Sequence, residues 1–224
     1  MACPFDLVMF DLDGTLVDTA PEITDSVNDT LQEFGLTCVQ TDQVTAWIGH
    51  GTLTLLASAV AFVSGADVKE VRSSALFETL AADFALKYRK RCGTRSTLYP
   101  AVRETLEALR ALGVKVAIVT NKESLYTEAV LDAHRLQSLL DLVICGDTFP
   151  TRKPDTAGVA HCLGKWDIPS QRAVFVGDSS IDVATARNAN LTVWTVPYGY
   201  NMGQPIHLSN PDRVISDCSA LLRS

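Results

Sequence analysis

The sequence predicts an α/β fold: a Rossmann-like parallel sheet core with an inserted α-helical cap domain. Three observations lead there. The apolar run Leu7-Val8-Met9-Phe10 stops at Asp11-Leu12-Asp13-Gly14-Thr15, as a buried strand does at a polar, glycine-containing turn. From Leu98 onward, short apolar runs alternate with helical patterns, which implies a parallel sheet with right-handed crossovers. Between the two lies a stretch of helical texture throughout, so an insertion separates the first strand from the rest of its sheet. The expected division is residues 1–17 and 93–224 for the core and 18–92 for the cap.

The insertion reads as a series of helices. Pro21 suits a first turn, and Ile23, Val27, Leu31 and Phe34 follow at helical spacing before Gly35. Thr41 or Asp42 can cap a short helix with Val44, Trp47 and Ile48, ending at Gly49-His50-Gly51. Thr52 to Val63 is apolar on most sides, as a buried helix is. Asp67 opens one long pattern that closes in the basic cluster Lys87 to Arg91, where cations complement a helix C-terminus.

The core elements follow in turn. Helices are expected at Ala101 to Leu112, Glu123 to His134, Thr156 to Leu163 and Ile181 to Asn190. Strands are expected at Val114 to Val119, Leu142 to Cys145, Ala173 to Val176 and Leu191 to Val196.

Composition narrows the function. The chain has 224 residues, 47% of them hydrophobic, and a net charge of -7. An acidic protein attracts neither nucleic acid nor an anionic membrane. No apolar run approaches membrane-spanning length. Cys3, Cys38, Cys92, Cys145, Cys162 and Cys218 are scattered without metal-site spacing, and no signal peptide is apparent, so a reduced, cytoplasmic setting is expected. Monomer and homodimer both remain open.

The chemistry lies at strand ends, which share one edge of a parallel sheet. Asp11 and Asp13 repel each other unless a cation offsets their charge, and Mg²⁺ bound by carboxylates and phosphate oxygens does so. The pattern Asp11-x-Asp13-x-Thr15 also opens a calcium loop with Glu22 at its twelfth position, but Leu16 stands where that loop needs glycine. Thr120-Asn121-Lys122 offers a hydroxyl and amides at a helix start, suited to phosphate oxygens. Lys153, before Pro154, is the best-placed fixed cation, with Arg152 and Lys122 as alternatives. Asp178 can join Asp11 at a metal, and Asp182, a helical turn on, can hold a metal-bound water or orient Lys153.

Asp11-x-Asp13-Gly14-Thr15, Thr120, Lys153-Pro154 and Gly177-Asp178-x-x-x-Asp182 together resemble the four motifs of the haloacid dehalogenase-like (HAD) hydrolase superfamily, in the family's order. Asp18-Thr19-Ala20-Pro21, Trp47 to Gly51 and Tyr198-Gly199-Tyr200-Asn201 resemble its phosphoglycolate phosphatase branch. Lys153-Pro154-Asp155-Thr156 departs from the family by lacking a second proline. The resemblance implies a Mg²⁺-dependent phosphomonoester hydrolase acting on a small phosphorylated metabolite such as 2-phosphoglycolate through an aspartyl-phosphate. Asp11 is then nucleophile and Asp13 proton donor and acceptor, with Thr120 and Lys153 completing the catalytic set. Asp11, Asp13, Asp178 and Asp182 serve the metal. Gly14, Thr15 and Asn121 bind substrate, and Gly49 and His50 contact it from the cap. A sugar phosphomutase of the same superfamily would share every core motif and differ in the cap.

Overall fold

The computed structural model describes residues 3–223. β1 (Leu7–Phe10) and β2 (Val17–Asp18) lead into α1 (Ala20–Glu33), α2 (Thr41–Thr45), α3 (Thr52–Ser64), α4 (Val68–Ser73) and α5 (Ala75–Arg91). β3 (Thr97–Leu98) brings the chain back to α6 (Val102–Ala111), β4 (Lys115–Val119), α7 (Ser124–Ala133) and β5 (Leu142–Ile144). Then come α8 (Ala157–Trp166), β6 (Ala173–Gly177), α9 (Ser180–Asn188), β7 (Thr192–Thr195) and β8 (Arg213–Val214).

Six strands form one parallel sheet in the order β5-β4-β1-β6-β7-β8, the Rossmann-like core expected. β1 is central and buried at every residue because helices cover both faces, which is why it reads as an unbroken apolar run. Phe10 is in register with Ile118 on one side and Val176 on the other, so these strands finish nearly level. Asp11, Thr120 and Asp178 therefore emerge along one edge.

β2 and β3 pair antiparallel, Val17 with Leu98 and Asp18 with Thr97. The two passages of chain between sheet and helical block thus run side by side. The Glu22 carboxylate, in the first turn of α1, accepts the N–H groups of Arg95 and Ser96 at 3.2 and 3.0 Å and ties the returning chain to the outgoing helix.

Several local expectations change. The long pattern from Asp67 breaks at Ser74, which ends α4 and caps α5 by accepting the Phe77 N–H. α2 starts after Gln40, whose N–H donates to Gln43 Oε1 at 2.8 Å, and Asp42 Oδ1 accepts the Gln43 N–H at 2.9 Å. α3 is buried along one side, leaving Leu53 and Phe62 exposed. Lys87 and Arg91 do more than complement a helix dipole. Lys87 donates to the Asp29 carbonyl oxygen, and Arg91 grips the Asp29 carboxylate through two 2.9 Å bonds, pinning α5 to α1. Gly158 survives inside α8 because a Cβ there would lie 3.0 Å from Ile144 and 3.2 Å from Val119. All six cysteines are free.

Candidate active site

Asp11 leaves β1 with its N–H bonded to the Val176 carbonyl at 2.9 Å. Its Oδ1 accepts the Leu12 N–H at 2.7 Å and lies 2.9 Å from Lys153 Nζ. Lys153 Nζ also donates to Asp182 Oδ1 at 2.7 Å. The other oxygen of Asp182 accepts from Asp178 N, Ser179 N and Ser179 Oγ at 3.2, 3.0 and 2.7 Å. This is a capping box at the start of α9, so the residues that begin the helix also aim Lys153 at Asp11. Gly177 makes room for it, since a Cβ there would lie 2.4 Å from Asp182.

Among the described residues, no cation pairs with Asp178. Its Oδ1 accepts the Thr15 hydroxyl at 2.8 Å and its Oδ2 the Tyr200 N–H at 2.7 Å. Gly14 and Gly199 close over the carboxylate, where a Cβ would come within 2.5 and 2.4 Å of Oδ2. Burial, with Asp182 and Asp11 nearby, pushes the Asp178 carboxyl up to about 8. Burial also raises Asp11 to about 6, with Lys153 opposing and Asp182 and Asp13 adding to the rise. For Lys153 the two carboxylates outweigh burial and hold its ammonium above the ordinary lysine range.

Oxygens of Asp11, Asp178 and Asp182 lie within 4.8 Å of one another. This hard-oxygen set, with buried carboxylates forced toward their neutral forms, fits a small divalent cation. Asp182 accepts four hydrogen bonds, three of them at one oxygen and the fourth from the Lys153 ammonium, whereas Asp178 accepts one neutral donor at each oxygen. Asp11 and Asp178 are therefore the pair with more capacity for the ion.

Asp13 faces a different cation. Lys122 Nζ lies 2.9 and 3.1 Å from its two oxygens, and Thr19 Oγ1 donates to Oδ1 at 2.7 Å. Lys122 also donates to the hydroxyl of Tyr88, which α5 brings from the helical block. The neighbours of Lys122 reach the block as well. Asn121 Nδ2 donates to the Gly49 and Lys153 carbonyls at 2.9 and 3.0 Å, and Glu123 accepts the Thr52 hydroxyl at 2.9 Å. Three consecutive residues after β4 thus bond to three separate parts of the block.

The cavity they enclose has a volume of about 40 Å³, room for about three waters. Asp11, Asp13, Thr120, Asn121, Lys122, Asp178 and Ser179 line its sheet side, and Ile23, Ile48, Gly49, Gly51, Leu55, Phe84 and Tyr88 its helical side. Gly14 and Thr15, expected at the substrate, lie against Asp178 instead, because the turn after β1 must pack that carboxylate. His50 is exposed and absent from the lining, although Gly49 and Gly51 on either side belong to it. Lys122, first read as a spare phosphate cation, sits on Asp13 and not on Asp11. Tyr88 was legible only as a core position of its helix, and Tyr200 only as part of the stretch Tyr198 to Asn201 that carries the resemblance, with no role of its own.

A parallel sheet with its carboxylates and lysine gathered at one edge, beneath a helical block, defines a class of hydrolase. A model of the haloacid dehalogenase-like hydrolase family matches residues 8–196, and the chain belongs to that family. The chain is 36% identical to the phosphoglycolate phosphatase of Pasteurella multocida (strain Pm70), over 97% of each chain. It is 37% identical to that of Haemophilus influenzae (strain 86-028NP), over 99% of each. A predicted phosphoglycolate phosphatase of Haemophilus somnus 129pt, known from its crystal structure, superposes with a TM-score of 0.92 at 33% identity, covering 100% of this chain and 99% of that one. CbbY of Rhodobacter sphaeroides shares the fold alone, with a TM-score of 0.75 at 19% identity over 97% and 96% of the two chains. The protein is an HAD-family phosphatase.

Proposed function

We propose that the protein hydrolyses 2-phosphoglycolate to glycolate and phosphate, with Asp11 as nucleophile and Mg²⁺ as cofactor. The observation that carries this reading is the asymmetric treatment of the two aspartates after β1. Lys153 engages Oδ1 of Asp11, and among the described residues none hydrogen-bonds Oδ2, whereas Lys122 and Thr19 hold Asp13 from the other side.

Asp11 attacks phosphorus in line, so that an O–P bond forms as the ester P–O bond breaks. Asp13 gives its proton to the departing alkoxide, yielding the alcohol of glycolate. A water then attacks the phosphorus, its proton passes to Asp13, and the Asp11–phosphorus bond breaks to release phosphate. Thr120, the Asn121 amide and Lys153 hold the phosphate oxygens. Asp11, Asp178 and the Asp13 backbone carbonyl would hold Mg²⁺, with Asp182 behind them. When bound, the ion offsets charge between the carboxylates and the phosphate. Residues 18–92 act as the cap, which excludes water while closed.

The test measures phosphate release from 2-phosphoglycolate with Mg²⁺ and after chelation. Wild-type turnover is expected only with the metal. Asp11→Asn is expected to abolish turnover while leaving the melting profile intact, and full activity in that variant would overturn the assignment.

A further inference from the structure

Among the described residues lining the cavity, Lys122 is the only lysine or arginine. It is 4% exposed, and burial of an ammonium is tolerated here because Asp13 stands beside it. Tyr88, itself fully buried, holds Lys122 from the helical side, and the ammonium lies 4.9 Å from the Tyr88 ring centroid. The surrounding wall is apolar, formed by Ile23, Ile48, Leu55 and Phe84. The first turn of α3 borders the same space without a side-chain cap on its N–H groups, so the backbone adds weak positive potential there.

This placement is not needed for the phosphate, which Lys153 serves at Asp11. In the phosphatase reading above, on which this inference rests, the ester oxygen of the leaving group sits at Asp13. A group one carbon beyond that oxygen then comes within reach of Lys122. The rest of the described lining offers an anion the carboxylates of Asp11, Asp13 and Asp178, neutral groups such as Thr52, Thr120 and Asn121, and apolar carbon. A leaving group with its own negative charge therefore has one cationic partner in that lining. We propose that Lys122, held by Tyr88 of the cap, is the specificity-determining residue that selects a leaving group carrying a carboxylate beside the ester oxygen.

The test compares kcat/KM for 2-phosphoglycolate and for ethyl phosphate, which has the same two-carbon leaving group without the carboxylate. Wild type is expected to prefer 2-phosphoglycolate by about a hundredfold or more, the scale of a charged hydrogen bond. In Lys122→Met that ratio is expected to collapse to within about tenfold, chiefly through KM for 2-phosphoglycolate. Lys122→Arg is expected to restore most of it. Tyr88→Phe, which keeps the ring and removes only the hydroxyl, is expected to lower the ratio by about tenfold and serves if Lys122→Met does not fold. Equal losses for both esters in Lys122→Met, or an unchanged ratio in Tyr88→Phe if only that variant folds, would overturn the proposal. A merely supportive role at Asp13 gives that equal loss. Wild-type protein inactive on both esters would overturn the phosphatase reading itself, a result distinct from loss of selectivity.

Discussion

Asp182 does its work without facing the cavity. It is completely buried and accepts four hydrogen bonds, one of them from the lysine that reaches Asp11. Asp182→Ala would strand two backbone N–H groups and leave Lys153 with Asp11 as its one carboxylate. A loss of about 3–5 kcal/mol is expected, as for other broken buried ion pairs, and urea denaturation would measure it. The aspartates at strand ends were legible because each sits where an apolar run stops, and chain position alone carries that signal. The Lys122–Asp13 pair was not, since it joins residues 109 positions apart and depends on how two neighbouring strand ends face each other. His50 shows the converse. Its glycine neighbours mark a loop at the cavity, but which way one side chain turns from that loop is decided by packing.

At the scale of elements, the paired β2 and β3 make a narrow neck between sheet and helices. Two-residue strands carry no periodicity, so nothing in the sequence announced them, nor the break at Ser74, where a serine serves two helices at once. The strongly apolar β1, β4 and β6 were readable because burial on both faces leaves no polar positions beyond Lys115 at the start of β4. Glu22 holds the neck through two buried N–H bonds. Glu22→Ala should cost about 1–3 kcal/mol, the penalty for unsatisfied buried donors, and should increase proteolytic cleavage near residues 93–96. Unaltered protease resistance and stability would remove the neck from the list of structural constraints.

For the whole molecule, the raised carboxyls make stability depend on pH in a definite direction. Asp11 and Asp178 bind protons more tightly folded than unfolded. Their contribution is therefore full below about 4 and is lost as pH rises through about 6 and about 8. Mg²⁺ bound as proposed above would require the ionised forms and reverse that loss. The rise in melting temperature on adding Mg²⁺ should accordingly be small at pH 5 and larger at pH 8. A rise that shrinks with pH would separate the metal from these two groups.

The three consecutive residues Asn121, Lys122 and Glu123 have one more effect. Peptide geometry fixes their spacing, so they act as a single rigid three-pronged plug that the helical block can seat on in one orientation. A molecule too long for the space beneath keeps the plug from seating, and none of the three bonds then forms. In the phosphatase reading proposed above, large phosphate esters are then expected to be turned away by failed closure, before charge or chemistry has any part in the choice.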